Sequence, residues 1–244
     1  MKEWITSRNA VTEILQQKSR DVFRLLVADG SDKRGKIGDI IELCRQRRIQ
    51  AEFVNRSRLD SVDKNHQGLA LEVSGFHYDD LPDIFSLAKR KAEPLFILLL
   101  DLIQDPQNLG TLIRTAVAAG MHGIILPQAR AAGVTPAVVH SSSGATEHIP
   151  IVQMNLAQAI AELHKNDMWV VGLDSGDHAA LVNPAKLGGN LAIVVGSEGE
   201  GLRNLTRNSC DELLHLPMKG GFESLNAAVA GSIVIYLSYI GHRQ

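Results

Sequence analysis

Three short polar segments carry the residues of this chain best suited to chemistry. The first runs from Asp101 to Ala116 and contains Asn108 and Arg114. Asn108 is placed to cap a helix beginning there. Arg114 follows six residues on, among Leu112, Ile113, Ala116 and Val117. A guanidinium in that setting either snorkels to water or forms a fixed cation aimed at an anionic substrate. The second segment, Gly196-Ser-Glu198-Gly-Glu-Gly201, puts a carboxylate into a glycine-rich loop where backbone can approach a ligand closely. The third, Leu216-Pro-Met218 to Ser224-Leu-Asn226, offers Ser224 as a helix cap and places Asn226 in the first turn, where its amide needs a partner.

Other chemistries lack their residues. No Gly-Lys-Ser/Thr follows the glycine loop, and its spacing is not the dinucleotide Gly-x-Gly-x-x-Gly. No Gly-x-Ser-x-Gly elbow occurs, and neither Cys44 nor Cys210 sits in a loop suited to a nucleophile. The nine histidines lack metal-ligand spacing, so no metal is expected.

The elements that must position these segments follow from hydrophobic pattern. Leu95–Leu100 is an unbroken apolar run, as expected of a strand buried on both faces of a parallel sheet. Strand patterns at 123–126, 149–152, 168–173, 191–195 and 213–216 alternate with helical ones at 108–119, 155–164 and 224–239. The expected fold class is α/β with a parallel sheet, and ligands of such sheets bind at the carboxyl ends of the strands. The last helix is apolar on most faces and should be well buried. Residues 1–74 read as a smaller α/β sandwich, with a helix at 9–17, a strand at 22–28 and a core stripe Ile37, Ile40, Ile41, Cys44. A polar, charged stretch at 75–93 reads as a linker, leaving 94–244 as the second domain.

Composition narrows the class. With 45% hydrophobic and 21% charged residues, the chain is an ordinary globular protein. The net charge of −2 hides an asymmetry: residues 1–74 carry 14 Lys+Arg against 11 Asp+Glu, while 75–244 carry 11 against 16. The amino-terminal part is therefore the better candidate for meeting phosphates. Two distant cysteines imply no disulfide framework and fit a reducing cytoplasm. The first residues lead into no signal peptide, and no apolar run is long enough to span a membrane.

The three segments in order resemble the SpoU/TrmH family of RNA ribose 2′-O-methyltransferases, within the SPOUT superfamily. The residues that carry the resemblance are Asp105-Pro-x-Asn108-x-Gly110-x-x-x-Arg114-Thr-Ala, Gly196-x-Glu198-Gly-x-Gly201-Leu, and Leu216-Pro-Met218 with Ser224-Leu225-Asn226. Ser143-Gly-Ala-Thr-Glu-His-Ile-Pro150 is similar as well. Arg8-Asn9-Ala-Val and His66-Gln67-Gly68 are similar to the amino-terminal RNA-binding domain of the subgroup that methylates a guanosine of 23S rRNA, a domain like ribosomal protein L30e. The chain departs from the usual pattern at Ser7, at Glu223 and at Ala227-Ala228.

The resemblance implies a SPOUT domain with a carboxy-terminal trefoil knot, a homodimer, and S-adenosylmethionine as cofactor. It implies cofactor contacts from Leu173, Gly196, Leu216, Met218 and Leu225. It implies catalytic roles for Asn108, Arg114, Glu198, Ser224 and Asn226, and RNA contacts from Arg8, Asn9, His66 and Gln67. Two alternatives stay open: a tRNA 2′-O-methyltransferase of the same family, and a non-catalytic RNA-binding ribosome-assembly factor. An unrelated Rossmann nucleotide enzyme would need the dinucleotide fingerprint that is missing.

Overall fold

The computed structural model describes residues 2–31, 34–129, 131–176, 179–219 and 224–241. The chain divides into two compact units.

The first unit is built on strands β1 (Lys2–Ile5), β2 (Val22–Ala28), β3 (Gln50–Val54) and β4 (Leu69–Ser74), in the order β1-β4-β2-β3. β4 is antiparallel to both neighbours, and β2 and β3 are parallel. Helices α1 (Arg8–Gln17), α2 (Lys36–Gln46) and α3 (Arg56–Asp60) connect them. Of the expected core stripe, Ile37, Ile40 and Cys44 are buried and Ile41 is half-buried.

The stretch at 75–93, expected to be a linker, contains helix α4 (Leu81–Lys91). Asp80 and Asp83 cap its start reciprocally, and Ile84 and Ala88 are buried. Its charged run Lys89-Arg90-Lys91 forms the last turn, where cations complement the helix dipole. That favourable end effect looks, in sequence, like a solvated connection.

The second unit continues with β5 (Phe96–Leu100), α5 (Pro106–Ala118) and β6 (Gly123–Leu126). Residues 134–148 then belong to the first unit, with helix α6 (Pro136–Ser141). A contiguous domain at 94–244 does not capture this excursion. Its hold in the first unit is the Glu147 carboxylate, wholly buried against Arg20. Arg20 Nη2 and Nε donate to it over 2.8 and 3.2 Å, Nη1 reaches Glu3 at 3.2 Å, and the guanidinium lies 5.1 Å from the Phe76 ring.

The chain completes the second unit with β7 (Ile151–Gln153), α7 (Leu156–His164), β8 (Trp169–Leu173), β9 (Ala180–Leu181), β10 (Leu191–Val195), α8 (Asn204–Ser209), β11 (Glu212–His215) and α9 (Ala227–Gly241). Among the described residues its sheet has seven strands, ordered β7-β6-β5-β10-β8-β11-β9, every pair parallel. All residues of β5 and β10 are buried, as a central parallel strand requires. On one face Leu156, Ala159, Ile160 and Leu163 of α7 pack with Ile84 on Ile97, Leu99, Val170 and Val194. α9 packs on α5, where a Cβ at Gly231 would come within 2.7 Å of Leu112 and 3.1 Å of Val195. Only a residue without a side chain lets the two helices approach so closely. α9 is not buried all round, contrary to its sequence pattern: Val229, Ile233, Tyr236 and Ile240 form an exposed stripe. No helix among the described residues is long and apolar enough to cross a membrane.

Replacing Glu147 with Ala strands Arg20 in the interior without its main counter-charge. The amino-terminal unit should lose about 3–5 kcal/mol, read from urea unfolding followed by Trp4 fluorescence in a Trp169→Phe background. A loss below about 1 kcal/mol would reduce the pair to the rank of a surface salt bridge.

Candidate active site

Because the strands of the second unit are parallel, their carboxyl ends share one edge, and the loops leaving β8, β10 and β11 enclose a cavity of about 330 Å³ there. Small-molecule pockets span roughly 300–1,000 Å³. Leu173, Gly196, Leu216, Met218 and Leu225, singled out in the sequence, all line it. Glu198 and Ser224 line it as well, as do Asp174 and His215, which no sequence pattern marked. These two sit immediately at strand ends, and a correct strand register was the one signal available for them.

The glycine loop after β10 owes its shape to a close chain crossing. A Cβ at Gly196 would lie 2.3 Å from the carbonyl carbon of Gly201, so any side chain there forces the loop open. Ser197 and Gly201 exchange backbone hydrogen bonds of 3.1 Å in both directions, closing a five-residue loop that projects Glu198.

Residues 90 and 28 positions distant meet Glu198 there. Asn108 Nδ2 donates to Glu198 Oε1 over 3.3 Å. Asn226 Nδ2 donates to Asn108 Oδ1 over 3.1 Å and also to Glu198 Oε1. The amide of Asn226 thus has the partner its position demanded.

Both expected helix caps are corrected. Asp105, not Asn108, caps α5: its carboxylate accepts the N–H groups of Gln107 and Asn108 over 3.3 and 3.2 Å. Asp105 followed by Pro106 at the first helical position was the readable signal. Asn108 stands one turn inside, which leaves its side chain for Glu198. At the other helix Asn226 accepts from Val229 N over 3.1 Å, so it caps α9 and Ser224 lies ahead of the helix. Gly220, Gly221 and Glu223 lie outside the described residues.

Arg114 is exposed. It belongs to the outward stripe of α5 with Gln107, Thr111 and Ala118, while Leu112, Ile113 and Ala116 face inward. The apolar neighbours in sequence are therefore not its neighbours in space, and no snorkelling is needed. Thr115, one residue on, meets Ser232 of α9 at 3.0 Å.

The four residues singled out for RNA contact also come together, in the first unit. Gln67 Oε1 accepts from Arg8 N over 3.1 Å, and the Gln67 carbonyl accepts from Arg8 Nε over 2.9 Å. Asn9, beside them, bonds Lys36. His66 is buried, with Nδ1 accepting from Gly68 N over 2.9 Å and Nε2 lying 3.3 Å from Asp60. It holds the turn from inside, while Asn9 and Gln67 are exposed.

Burial pushes the thiols of Cys44 and Cys210 up to about 11 and about 12, so both stay protonated near neutral pH. Among the described residues no group of three His, Cys, Asp or Glu side chains could hold a metal ion.

The chain is similar to known proteins in sequence and in fold. Residues 95–236 match the SpoU rRNA Methylase family, and residues 5–79 match the substrate-binding domain of RNA 2′-O ribose methyltransferases. The chain is 39% identical over 241 residues to the putative TrmH family tRNA/rRNA methyltransferase YacO of Bacillus subtilis, covering 97% of this chain and 95% of that protein. It is 35% identical over 237 residues to the 23S rRNA (guanosine-2′-O-)-methyltransferase RlmB of Xylella fastidiosa, covering 96% and 94%. In fold it is similar to the SpoU methyltransferase AviRb of Streptomyces viridochromogenes, solved in complex with AdoMet, with a TM-score of 0.80 at 24% identity over 98% of this chain and 90% of that one. The chain belongs to the SpoU rRNA methylase family of RNA 2′-O-ribose methyltransferases.

Proposed function

We propose that this protein transfers the methyl group of S-adenosylmethionine to a ribose 2′-hydroxyl of RNA, with a guanosine of 23S rRNA as target. The observation that carries the reading is the hydrogen-bonded cluster of Asn108, Glu198 and Asn226, assembled from three distant segments beside one cavity. A scaffold that merely bound RNA would have no need of it. The likeness to RlmB of Xylella fastidiosa favours 23S rRNA. The likeness to YacO, a TrmH family tRNA/rRNA methyltransferase by name, keeps a tRNA target as the second reading.

The cavity suits a nucleoside cofactor: Leu173, Leu216 and Leu225 offer apolar walls, and Gly196 brings backbone to the ligand without a side chain in the way. S-adenosylmethionine would supply an electrophilic methyl on a sulfonium. The ribose hydroxyl would give up its proton to solvent as its oxygen bonds that methyl and the methyl–sulfur bond breaks, the sulfur leaving as a neutral thioether. Arg114 is a poor literal base, because a guanidinium holds its proton too tightly to take one from a hydroxyl. Its role is to hold a neighbouring phosphate and steady the developing alkoxide. Asn108 and Asn226 fix Glu198, which orients the hydroxyl, and Ser224 shapes the loop beside the methyl. RNA would be held by the first unit through Arg8, Asn9 and Gln67, with His66 supporting the turn.

We also propose a carboxy-terminal trefoil knot, and a homodimer formed through α9. The exposed positions 229, 233, 236 and 240 recur at helical spacing, an apolar seam that a second copy would cover.

Ribose-methylation mapping of rRNA and tRNA in a strain lacking the gene tests the function. One 2′-O-methyl should disappear from 23S rRNA and return with the wild-type gene but not with Arg114→Ala. Purified Arg114→Ala should bind S-adenosylmethionine normally yet lose turnover by at least about 100-fold, and Arg114→Lys should rescue poorly. Near wild-type turnover in Arg114→Ala would refute the assignment. Gly196→Ala should weaken S-adenosylmethionine binding in calorimetry by about tenfold or more, because the added methyl displaces the Gly201 carbonyl. In analytical ultracentrifugation the wild type should sediment as a dimer and Ile233→Glu as a 26.5 kDa monomer. A wild-type monomer would remove the dimer from the proposal.

A further inference from the structure

The Glu198 loop is closed at its base by Ser197 and Gly201, but closure alone does not aim it. Its aim depends on where the chain is held after Gly201. At that point stands Arg203, and opposite it Asp101, whose side chain is wholly buried. Asp101 directly follows β5, and its own N–H donates to the carbonyl of Val195 over 2.8 Å, so it is part of the sheet edge from which the loop springs. Its carboxylate accepts the Arg203 backbone N–H over 3.0 Å through Oδ2 and Arg203 Nε over 2.7 Å through Oδ1. One buried anion therefore grips both the backbone and the side chain of the residue two positions beyond the loop. A carboxylate is costly to bury unless it is met in this way.

A second ion pair acts on the same helix. Arg203 immediately precedes α8, and in the last turn of α8 Arg207 Nη2 meets Asp174 Oδ2 at 2.9 Å. Asp174 follows β8, lines the cavity, and accepts Gly176 N over 3.1 Å. α8 is thus strapped at its start to the end of β5 and at its finish to the end of β8. The short helix behind the loop becomes a rigid stop.

We propose that Asp101 and Arg203 are positioning residues for the reaction: they hold the Glu198 loop so that Glu198 meets Asn108 and Asn226, while Arg207 and Asp174 lock the same helix to the cavity wall. Neither Asp101 nor Arg203 touches the RNA or the methyl donor in this scheme. A misplacement of a catalytic group by about 1 Å can cost about 100-fold in rate, so a clamp of this kind governs kcat. The inference rests on the methyl-transfer reading above.

The experiment compares wild type with Asp101→Asn, Arg203→Lys and Arg203→Ala. Hydrogen exchange of residues 197–201 should rise about tenfold or more in Arg203→Ala, while β10 exchanges as slowly as in wild type. With saturating S-adenosylmethionine, kcat for RNA methylation should fall about 100-fold in Arg203→Ala, with the KM for RNA little changed. Arg203→Lys keeps the charge and one donor and should recover part of both effects. Asp101→Asn keeps the shape and should loosen the loop less than Arg203→Ala does. If Arg203→Ala does not fold, the Lys and Asn variants decide through the same two measurements. Unchanged exchange at 197–201, or a loosened loop with full kcat, overturns the proposal. If the wild type methylates no RNA, the reading of function falls by itself, and the exchange measurement still decides whether the clamp holds the loop.

Discussion

A strand hydrogen-bonded on both sides and apolar on both faces can place polar groups only at its ends. β10 is such a strand, paired in parallel with β5 and β8 and buried along its whole length. The cavity-lining residues Asp174, Gly196, Glu198 and His215 follow from that constraint. Parallel pairing sends the ends of β5, β8, β10 and β11 to one edge, and the polar segments after them meet there.

At that edge, precision comes from a close chain crossing, one buried carboxylate and a cluster of more exposed polar groups that pair with one another. Gly196 lets the chain cross itself, and Asp101 needs donors and finds them in Arg203. Asn108 and Asn226 spend their amides on Glu198 and on each other. Preorganisation of this kind suits a reaction in which the protein supplies orientation and electrostatics while the cofactor carries the reactive group.

The first unit obeys the same logic with different parts. The Arg20–Glu147 pair takes an excursion from the methyltransferase sequence and roots it in the amino-terminal fold. Arg8, Asn9 and Gln67 gather at one helix start, supported by buried His66. Under the proposed function, RNA recognition falls to the first unit and methyl transfer to the second.

Hydrophobic period and motif order alone determined the α/β class, the strands at 95–100, 123–126 and 191–195 to within a residue, the polar segments that meet at the sheet edge, and the family. Those features are local, and local physics writes them into residue order. The tertiary structure decided what depends on distant partners. Asn108 looked like a cap because its neighbours in sequence allow it; Asp105 takes that role, and Asn108 turns to a carboxylate 90 residues away. Arg114 looked embedded because its sequence neighbours are apolar, yet the turn of the helix sends them inward and Arg114 outward. The excursion at 134–148 and the helix within 75–93 were hidden for the same reason: which surface an amphipathic segment covers is set by long-range packing, and no window of sequence contains it.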